Sequence, residues 1–206
     1  MLVMAKFSDN IEAIIFDLDG TLVDTNLDFA SICAFFGVAK GTDILAHVET
    51  LSAAEKSRAL EYIHEQEIID AHQSSWLPGA EAMLKTLRGM SVPTAIVTRN
   101  SRAASAIKIE RNGIDVDYFL SREDAKPKPE PDGLLKVASH LGLSPQRCVY
   151  VGDYRYDLEA AVNAGMVACL YTGSHLESSG YSRFMHLADI VFGHYDDFLN
   201  CLRNQC

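Results

Sequence analysis

Short apolar runs alternate with helical patterns along most of this 206-residue sequence, and this alternation constrains the fold more than any other feature. The helical stretches place apolar side chains at i, i+3, i+4 and i+7, as Ala80, Met83, Leu84 and Leu87 do. Continuous apolar strands separated by helices predict an α/β fold, a parallel sheet covered by helices on both faces. The predicted strands cover residues 11–16, 93–97, 118–120, 148–151, 167–171 and 189–192.

Residues 26–75 interrupt this alternation, because no strand-like run occurs there. One helical stripe covers residues 29–36, and residues 53–73 form a longer and more polar helical pattern. We therefore expect an α/β core domain made of residues 1–25 and 76–206. Residues 26–75, called the helical insertion from here on, are expected to form a small all-helical domain between the first strand and the rest of the sheet.

Charge and hydropathy argue against several classes of protein. The formal net charge of −10 disfavours a surface for nucleic acid or for an anionic membrane. No run approaches the roughly 18 apolar residues that a membrane span needs, and residues 1–10 lack the pattern of a secretory signal. The five cysteines form no Cys-x-x-Cys pair, so we expect buried thiols in a cytoplasmic protein rather than disulfides or a zinc site.

Polar side chains follow the predicted strands at the points where the strands end. In an open parallel sheet, ligands bind outside the carboxyl ends of the strands. Each polar group alone fits an ordinary turn or a helix cap, but together they predict a site at one edge of the sheet. The groups are Asp17 and Asp19 after the first strand, Thr98, Arg99 and Asn100 after the second, Lys128 ahead of a later helix, and Asp153 and Asp157 after the fourth.

These segments resemble the motifs of the haloacid dehalogenase superfamily, in its phosphoglycolate-phosphatase-like branch with a small helical cap after the first motif. The resemblance implies a Rossmann-like core, a cap formed by the helical insertion, and a phosphatase that acts on phosphate monoesters. The matching segments are Asp-Leu-Asp-Gly-Thr at 17–21, Ile-Val-Thr-Arg-Asn at 96–100, Lys-Pro-Glu-Pro at 128–131 and Gly-Asp-Tyr-Arg-Tyr-Asp at 152–157.

The residue chemistry agrees with this resemblance. A carboxylate can take a phosphoryl group and pass it to water, which splits one difficult step into two, and Asp17 is the candidate nucleophile. The resemblance implies that Asp19 acts first as general acid and then as general base. Positioned donors stabilise the charge on the transferring group. The predicted donors and substrate-binding residues are Thr98, Arg99, Asn100 and Lys128.

Several aspartates facing a phosphate dianion require a compensating positive charge. Mg²⁺ suits oxygen ligands and phosphate substrates, so it is the expected cofactor. The resemblance implies that Asp17, Asp153 and the backbone carbonyl of Asp19 bind the metal, while Asp157 ligates directly or through water. Asp24 is expected to stabilise the segment that leads into the helical insertion.

The expected partner is a small phosphorylated metabolite, and the resemblance points to phosphoglycolate. A sugar phosphomutase of the β-phosphoglucomutase kind needs the same motifs, but it passes the phosphoryl group to a sugar hydroxyl instead of water. A regulatory or binding protein on the same scaffold is the non-enzymatic alternative. The sequence leaves these alternatives and the oligomeric state open.

Overall fold

A computed structural model describes residues 11–173 and 180–204 of the chain. Its strands are β1 (Ala13–Phe16), β2 (Thr94–Val97), β3 (Tyr118–Leu120), β4 (Cys148–Gly152), β5 (Val167–Tyr171) and β6 (Ile190–Phe192). They form a six-stranded sheet in the order β3-β2-β1-β4-β5-β6, and all neighbouring strands are parallel. The predicted parallel α/β fold is therefore confirmed. Because β1 lies between β2 and β4, the segments that follow these three strands meet at one edge of the sheet.

Eight α-helices occur among the described residues, and none of them is long and apolar enough to cross a membrane. Short 3₁₀ helices cover Pro145–Arg147, Gly180–Arg183 and Met185–Leu187. The α-helices are α1 (Phe29–Phe35), α2 (Ile44–Glu49), α3 (Ala53–Ala71), α4 (Ala80–Gly89), α5 (Arg102–Asn112), α6 (Asp132–His140), α7 (Arg155–Ala164) and α8 (Tyr195–Asn204).

Alternate side chains of β1 enter hydrophobic clusters on opposite faces of the sheet. Ile14 and Phe16 pack with apolar residues of α4 and α8, whereas Ala13 and Ile15 pack with those of α6 and α7. Full burial of one large apolar side chain contributes about 1.5–3 kcal/mol to the free energy of folding, so these two clusters stabilise the sheet that carries the site. The cysteines in the described part of the chain are all buried, as expected: Cys33, Cys148, Cys169 and Cys201. Cys206 and the predicted absence of a signal in residues 1–10 lie outside the described residues.

Some strands begin later than the sequence predicted. β1 begins at Ala13 rather than at residue 11, because its pairing with β4 begins where Ala13 lies opposite Cys148. β2 begins after Pro93, which has no N–H to donate to a neighbouring strand. β6 begins after Asp189, whose carboxylate accepts a hydrogen bond from the N–H of Ala168 at 2.9 Å.

The helical insertion contains three helices, where the sequence predicted two. The missed helix, α2, has six residues, which is too short to show an i, i+7 repeat. Asp43 defines its start, because its carboxylate accepts a hydrogen bond from the N–H of Ala46 at 3.2 Å. Val48 of α2 packs against Ala59 and Ile63 of α3 in a small cluster of their own.

The two connections between the helical insertion and the rest of the chain are tied to each other. The Asp24 carboxylate accepts hydrogen bonds from the N–H of Ser75 at 2.6 Å and from its hydroxyl at 2.9 Å. The N–H of Asp24 donates to the carbonyl of Ser75 at 2.9 Å, and Val23 forms an antiparallel bridge with Trp76. These contacts place Asp24 at the junction where the sequence predicts a stabilising role for it, and that effect on stability stays a prediction.

Candidate active site

Three carboxylates converge beyond the carboxyl end of the sheet. Asp17 follows β1, Asp153 and Asp157 follow β4, and one oxygen of each lies within 4.8 Å of the others. The N–H of Asp17 donates to the carbonyl of Val151 at 2.8 Å, which continues the β1–β4 pairing by one residue. Closely spaced carboxylate oxygens are the ligands that hard divalent cations prefer.

Lys128 bridges two of these carboxylates. Its ammonium nitrogen lies 2.8 Å from Asp17 Oδ1 and 2.6 Å from Asp157 Oδ1, and it donates to the Tyr150 hydroxyl at 2.7 Å. The Lys128 side chain is only 3% exposed, whereas Lys126, two residues earlier, is exposed. Of the two lysines in this loop, Lys128 is the one that reaches the carboxylate cluster.

Burial dominates the electrostatics of this cluster. Burial raises the pKa of Asp17 to about 7, although the nearby Lys128 ammonium lowers it. Burial, and then the charges of Asp157 and Asp17, raise the pKa of Asp153 well above its usual value. Burial alone would lower the pKa of Lys128, but Asp157 and Asp17 raise it above the usual lysine value, so Lys128 is a cation. A cation bound beside Asp17 and Asp153 would offset the remaining negative charge.

Two glycines allow the carboxylates to approach the backbone. Gly20 has a φ of +73°, and a Cβ at this position would collide with the Asp153 carboxylate. A Cβ at Gly152 would collide in the same way with Asp157. The glycines of the first and fourth motifs are therefore required by the close approach of the backbone to the site.

Asp19 is held by residues that follow β2. Asn100 Nδ2 donates to Asp19 Oδ2 at 2.7 Å, and the Lys108 ammonium forms an ion pair with Asp19 Oδ1. Burial raises the pKa of Asp19, although Lys108 and Asn100 lower it. Lys108 also lies 2.5 Å from Asp70 Oδ2, so it joins Asp19 to helix α3 of the insertion.

Lys108 and Asp70 are site residues that the sequence prediction missed. The Lys108 side chain is fully buried on α5, where Ala104 and Ser105, four and three residues earlier, are buried as well. A lysine that continues such a buried helical stripe is a signal for a buried ion pair. Asp70 gave no comparable signal, because its partner lies 38 residues further along the chain.

Thr98 and Arg99 lie at the end of β2, next to β1. Thr98 is buried, and its hydroxyl accepts a hydrogen bond from the N–H of Asn100 at 3.2 Å. The Arg99 guanidinium lies 4.3 Å from the centre of the Tyr156 ring, and its Nη2 lies 2.5 Å from Asp43 Oδ1. The structure thus brings all the predicted site residues to one edge of the sheet: Asp17, Asp19, Thr98, Arg99, Asn100, Lys128, Asp153 and Asp157.

Ion pairs join the helical insertion to the residues around the site. In each pair the carboxylate belongs to the insertion and the cation to the α/β core. Each contributing side chain is buried or largely buried, with at most 22% exposure. The pairs are Asp43 with Arg99, Glu67 with Arg122, and Asp70 with Lys108.

Comparisons with known proteins agree with this geometry. The profile of the family described as "Haloacid dehalogenase-like hydrolase" matches residues 27–170. A crystal structure of a HAD family hydrolase from Deinococcus radiodurans R1, with bound phosphate and sodium, superposes with a TM-score of 0.71 at 22% sequence identity. That comparison covers 96% of this chain and 97% of the other.

Relatives found by sequence carry phosphatase names. Hexitol phosphatase A of Escherichia coli (strain K12) is 33% identical in an alignment that covers 79% of this chain and 80% of that protein. Phosphoglycolate phosphatase of Shigella dysenteriae serotype 1 (strain Sd197) is 27% identical in an alignment that covers 97% of this chain and 95% of that protein.

Proposed function

Since this chain belongs to the haloacid dehalogenase-like hydrolase family, we propose that it hydrolyses a small phosphate monoester through an aspartyl-phosphate intermediate, with Mg²⁺ as its cofactor. The family membership and the phosphatase names of the relatives confirm the predicted enzyme class, a phosphatase-type hydrolase. The observation that carries the mechanism is the contact between Asp17 and Lys128 beside Asp153 and Asp157. A nucleophile, a phosphate-binding cation and metal ligands must lie together in this way.

The chemistry of the carboxylate cluster fits a divalent cation. Asp17 and Asp153 offer hard oxygen ligands with raised pKa values, and Lys128 is the one cation among the described residues that contacts the cluster. We assign Asp17, Asp153 and the backbone carbonyl of Asp19 as ligands. When bound, Mg²⁺ supplies positive charge that stabilises the phosphoryl oxygens.

Asp157 is better placed to orient its neighbours than to ligate a metal directly. Its Oδ1 accepts a hydrogen bond from Lys128 at 2.6 Å, and its Oδ2 accepts one from the N–H of Tyr154 at 3.0 Å. Because both oxygens already have partners, we assign to Asp157 the role of fixing the Lys128 ammonium toward Asp17.

The proposed reaction proceeds in two displacements. An Asp17 oxygen attacks phosphorus, the bond from phosphorus to the ester oxygen breaks, and Asp19 donates a proton to the departing oxygen. Lys128 and Thr98 donate hydrogen bonds to the phosphoryl oxygens during transfer. Asp19 then takes a proton from water, the water oxygen bonds to phosphorus, and the bond to Asp17 breaks to release inorganic phosphate.

We propose that the helical insertion covers this site as a cap and restricts it to small substrates. Its ion pairs with the core support this placement, because they surround Asp19 and the end of β2. A closed cover excludes water and commits the substrate. Phosphoglycolate and hexitol phosphates, to which the names of the relatives point, are both small molecules of the kind that a covered site would accept.

Hydrolysis of p-nitrophenyl phosphate by the purified protein, with Mg²⁺ and with a chelator, tests the proposal. We expect turnover only with Mg²⁺, and rapid quenching with a radiolabelled ester should trap a phosphate on Asp17. Isomerisation of β-glucose 1-phosphate without phosphate release would instead identify a phosphomutase. Binding of phosphate esters with no turnover under any metal condition would identify a binding protein and reject the proposal.

A further inference from the structure

A cluster of three side chains spans the position of the proposed nucleophile. Arg99 follows β2 and Tyr156 follows β4, and their guanidinium and ring are in contact at 4.3 Å. Because β1 lies between these two strands, this contact crosses the end of β1, where Asp17 and Asp19 are found. Asp43 of the helical insertion completes the cluster through its ion pair with Arg99. The cluster thus links the helical insertion to the end of the sheet that carries Asp17.

One nitrogen of Arg99 has no acceptor within the described part of the chain. Nη2 donates to Asp43, but Nη1 is buried and makes no hydrogen bond there. Leaving a buried donor unpaired costs about 1–3 kcal/mol, so such groups usually have a partner that the protein alone does not supply. A substrate oxygen above Asp17 is a partner of the required kind.

The charge of the cluster restricts which functional group of the substrate can supply that oxygen. The Asp43 carboxylate neutralises the Arg99 guanidinium, so the pair presents no net positive charge to the substrate. A second anionic group on the substrate would therefore find no unpaired cation and would be repelled by the adjacent Asp43 carboxylate. A hydroxyl group avoids this repulsion, since it accepts from Arg99 Nη1 and donates to the Asp43 carboxylate, which can accept several hydrogen bonds.

We propose that Arg99 and Asp43, held in place by Tyr156, bind a hydroxyl group of the leaving group, so that the substrate is a polyol or sugar monophosphate. A phosphate ester of a hydroxy acid, such as phosphoglycolate, is disfavoured by the same pair. This inference rests on the proposed phosphatase function, and it names the substrate class of that same site.

Steady-state kinetics on matched esters test the inference. We compare kcat/KM for glycerol 3-phosphate and sorbitol 6-phosphate with kcat/KM for phosphoglycolate and for p-nitrophenyl phosphate, which offers no hydroxyl. One pocket interaction is worth about ten- to hundred-fold in kcat/KM, so at least one polyol phosphate should exceed phosphoglycolate by about that factor. A preference for phosphoglycolate would overturn the inference while leaving the phosphatase function intact.

Two variants locate the preference at the cluster. In Arg99→Gln and in Asp43→Asn, the ratio of kcat/KM for the preferred polyol phosphate to that for p-nitrophenyl phosphate should fall by about ten-fold or more. Arg102→Gln is the matched control, because Arg102 lies on the same segment but pairs at the exposed surface with Asp124, and its ratio should not change. Thermal melting of each variant checks that it is folded.

Two other outcomes would reject the inference. If folded Arg99→Gln and Asp43→Asn lose activity on both esters equally, or keep the wild-type ratio, the cluster does not select the leaving group and the inference is wrong. If the wild-type protein hydrolyses no ester at all, including p-nitrophenyl phosphate, the proposed phosphatase function fails first and the inference falls with it.

Discussion

Asp17 is the residue on which the proposed chemistry depends most, because it contacts both Lys128 and the metal-ligand cluster. Asp17→Asn keeps the shape of the side chain but removes the nucleophile, so we expect kcat to fall by about 10⁴-fold or more with the melting temperature little changed. Asp115→Asn, which alters an exposed aspartate paired with Arg88, should keep wild-type activity. Activity of Asp17→Asn within about ten-fold of wild type, with deamidation excluded by mass spectrometry, would contradict the assignment.

The raised pKa of Asp17 predicts that metal binding depends on pH. Burial, opposed by Lys128, raises this pKa from 3.8 to about 7, so the folded protein holds a proton there that the unfolded chain has already lost. The metal requires the ionised carboxylate, so Mg²⁺ affinity should rise with pH and weaken by up to about ten-fold per unit below pH 7. Calorimetric titration at about pH 5.5, 6.5 and 7.5 measures this trend. Equal affinities at the three values would contradict either the raised pKa of Asp17 or its role as a ligand.

The same raised pKa fixes the sign of the effect on stability. Between pH 3.8 and about 7 the folded metal-free protein binds more protons at Asp17 than the unfolded chain does. The contribution of Asp17 to the free energy of unfolding therefore decreases as the pH rises through this window. Mg²⁺ should oppose that loss, because it binds the ionised form in the folded state only.

The sequence predicted the residues at the strand ends better than the partners that hold them. Asp17, Lys128 and Asp153 follow from motifs whose positions in a parallel sheet are fixed by topology. Lys108 and Asp70 do not, because which face of a helix meets another helix depends on packing between distant segments. The charge state of Asp17 likewise depends on burial, which no motif specifies.

At the scale of elements, the junction around Asp24 holds the two connections of the helical insertion together. Asp24→Ala removes the acceptor of the Ser75 N–H and hydroxyl; because Ser75 is exposed, water can replace that acceptor, and we expect the free energy of unfolding to fall by about 0.5–1.5 kcal/mol. Glu65→Ala, at an exposed position of α3, is the control and should change stability by less than about 0.5 kcal/mol. Denaturant titration measures the free energy of unfolding of both variants. Equal decreases in the two would show that the junction has no special role in stability.

The fold shows where periodicity is informative and where it is not. The sequence predicted the strands because each is a continuous apolar run. It predicted the long helix α3 because the helical pattern repeats over several turns. Helix α2 was missed because a helix of six residues is too short to show a periodic pattern. Its start depends on one capping hydrogen bond, from the N–H of Ala46 to the Asp43 carboxylate. The start of β1 depends on where its neighbour β4 begins, which is a tertiary property.

At the scale of the whole molecule, three ion pairs that join the helical insertion to the α/β core have the same polarity: the insertion supplies the carboxylate and the core supplies the cation. The carboxylates of Asp43, Glu67 and Asp70 face cations of the core across one boundary. Glu67 also accepts a hydrogen bond from the N–H of Ser101 at 3.1 Å, at the start of α5. Because ion pairs are directional, and because the apolar cluster of the insertion is separate from those of the core, we infer that these pairs fix the position of the insertion against the core more than apolar contact does.

This arrangement predicts that the helical insertion opens separately from the sheet. The double variant Glu67→Gln/Arg122→Gln removes one largely buried pair without leaving a lone charge, so it should weaken the boundary but not the core. We expect amide hydrogen exchange in α3 to accelerate by about ten-fold, which corresponds to about 1.4 kcal/mol, while exchange in β1 and β4 stays unchanged.

Mass spectrometry of deuterium uptake measures both regions in the same sample. Lys56→Gln/Glu49→Gln is the matched control, because it removes a more exposed ion pair that lies entirely within the insertion. Exposed pairs contribute only about 0–1 kcal/mol, so this control should have little effect on exchange in α3. If uptake in β1 and β4 rose as much as in α3, the insertion and the core would unfold as one cooperative unit. In that case the insertion would not act as a separate cap, and selection of small substrates would have to come from a rigid cleft.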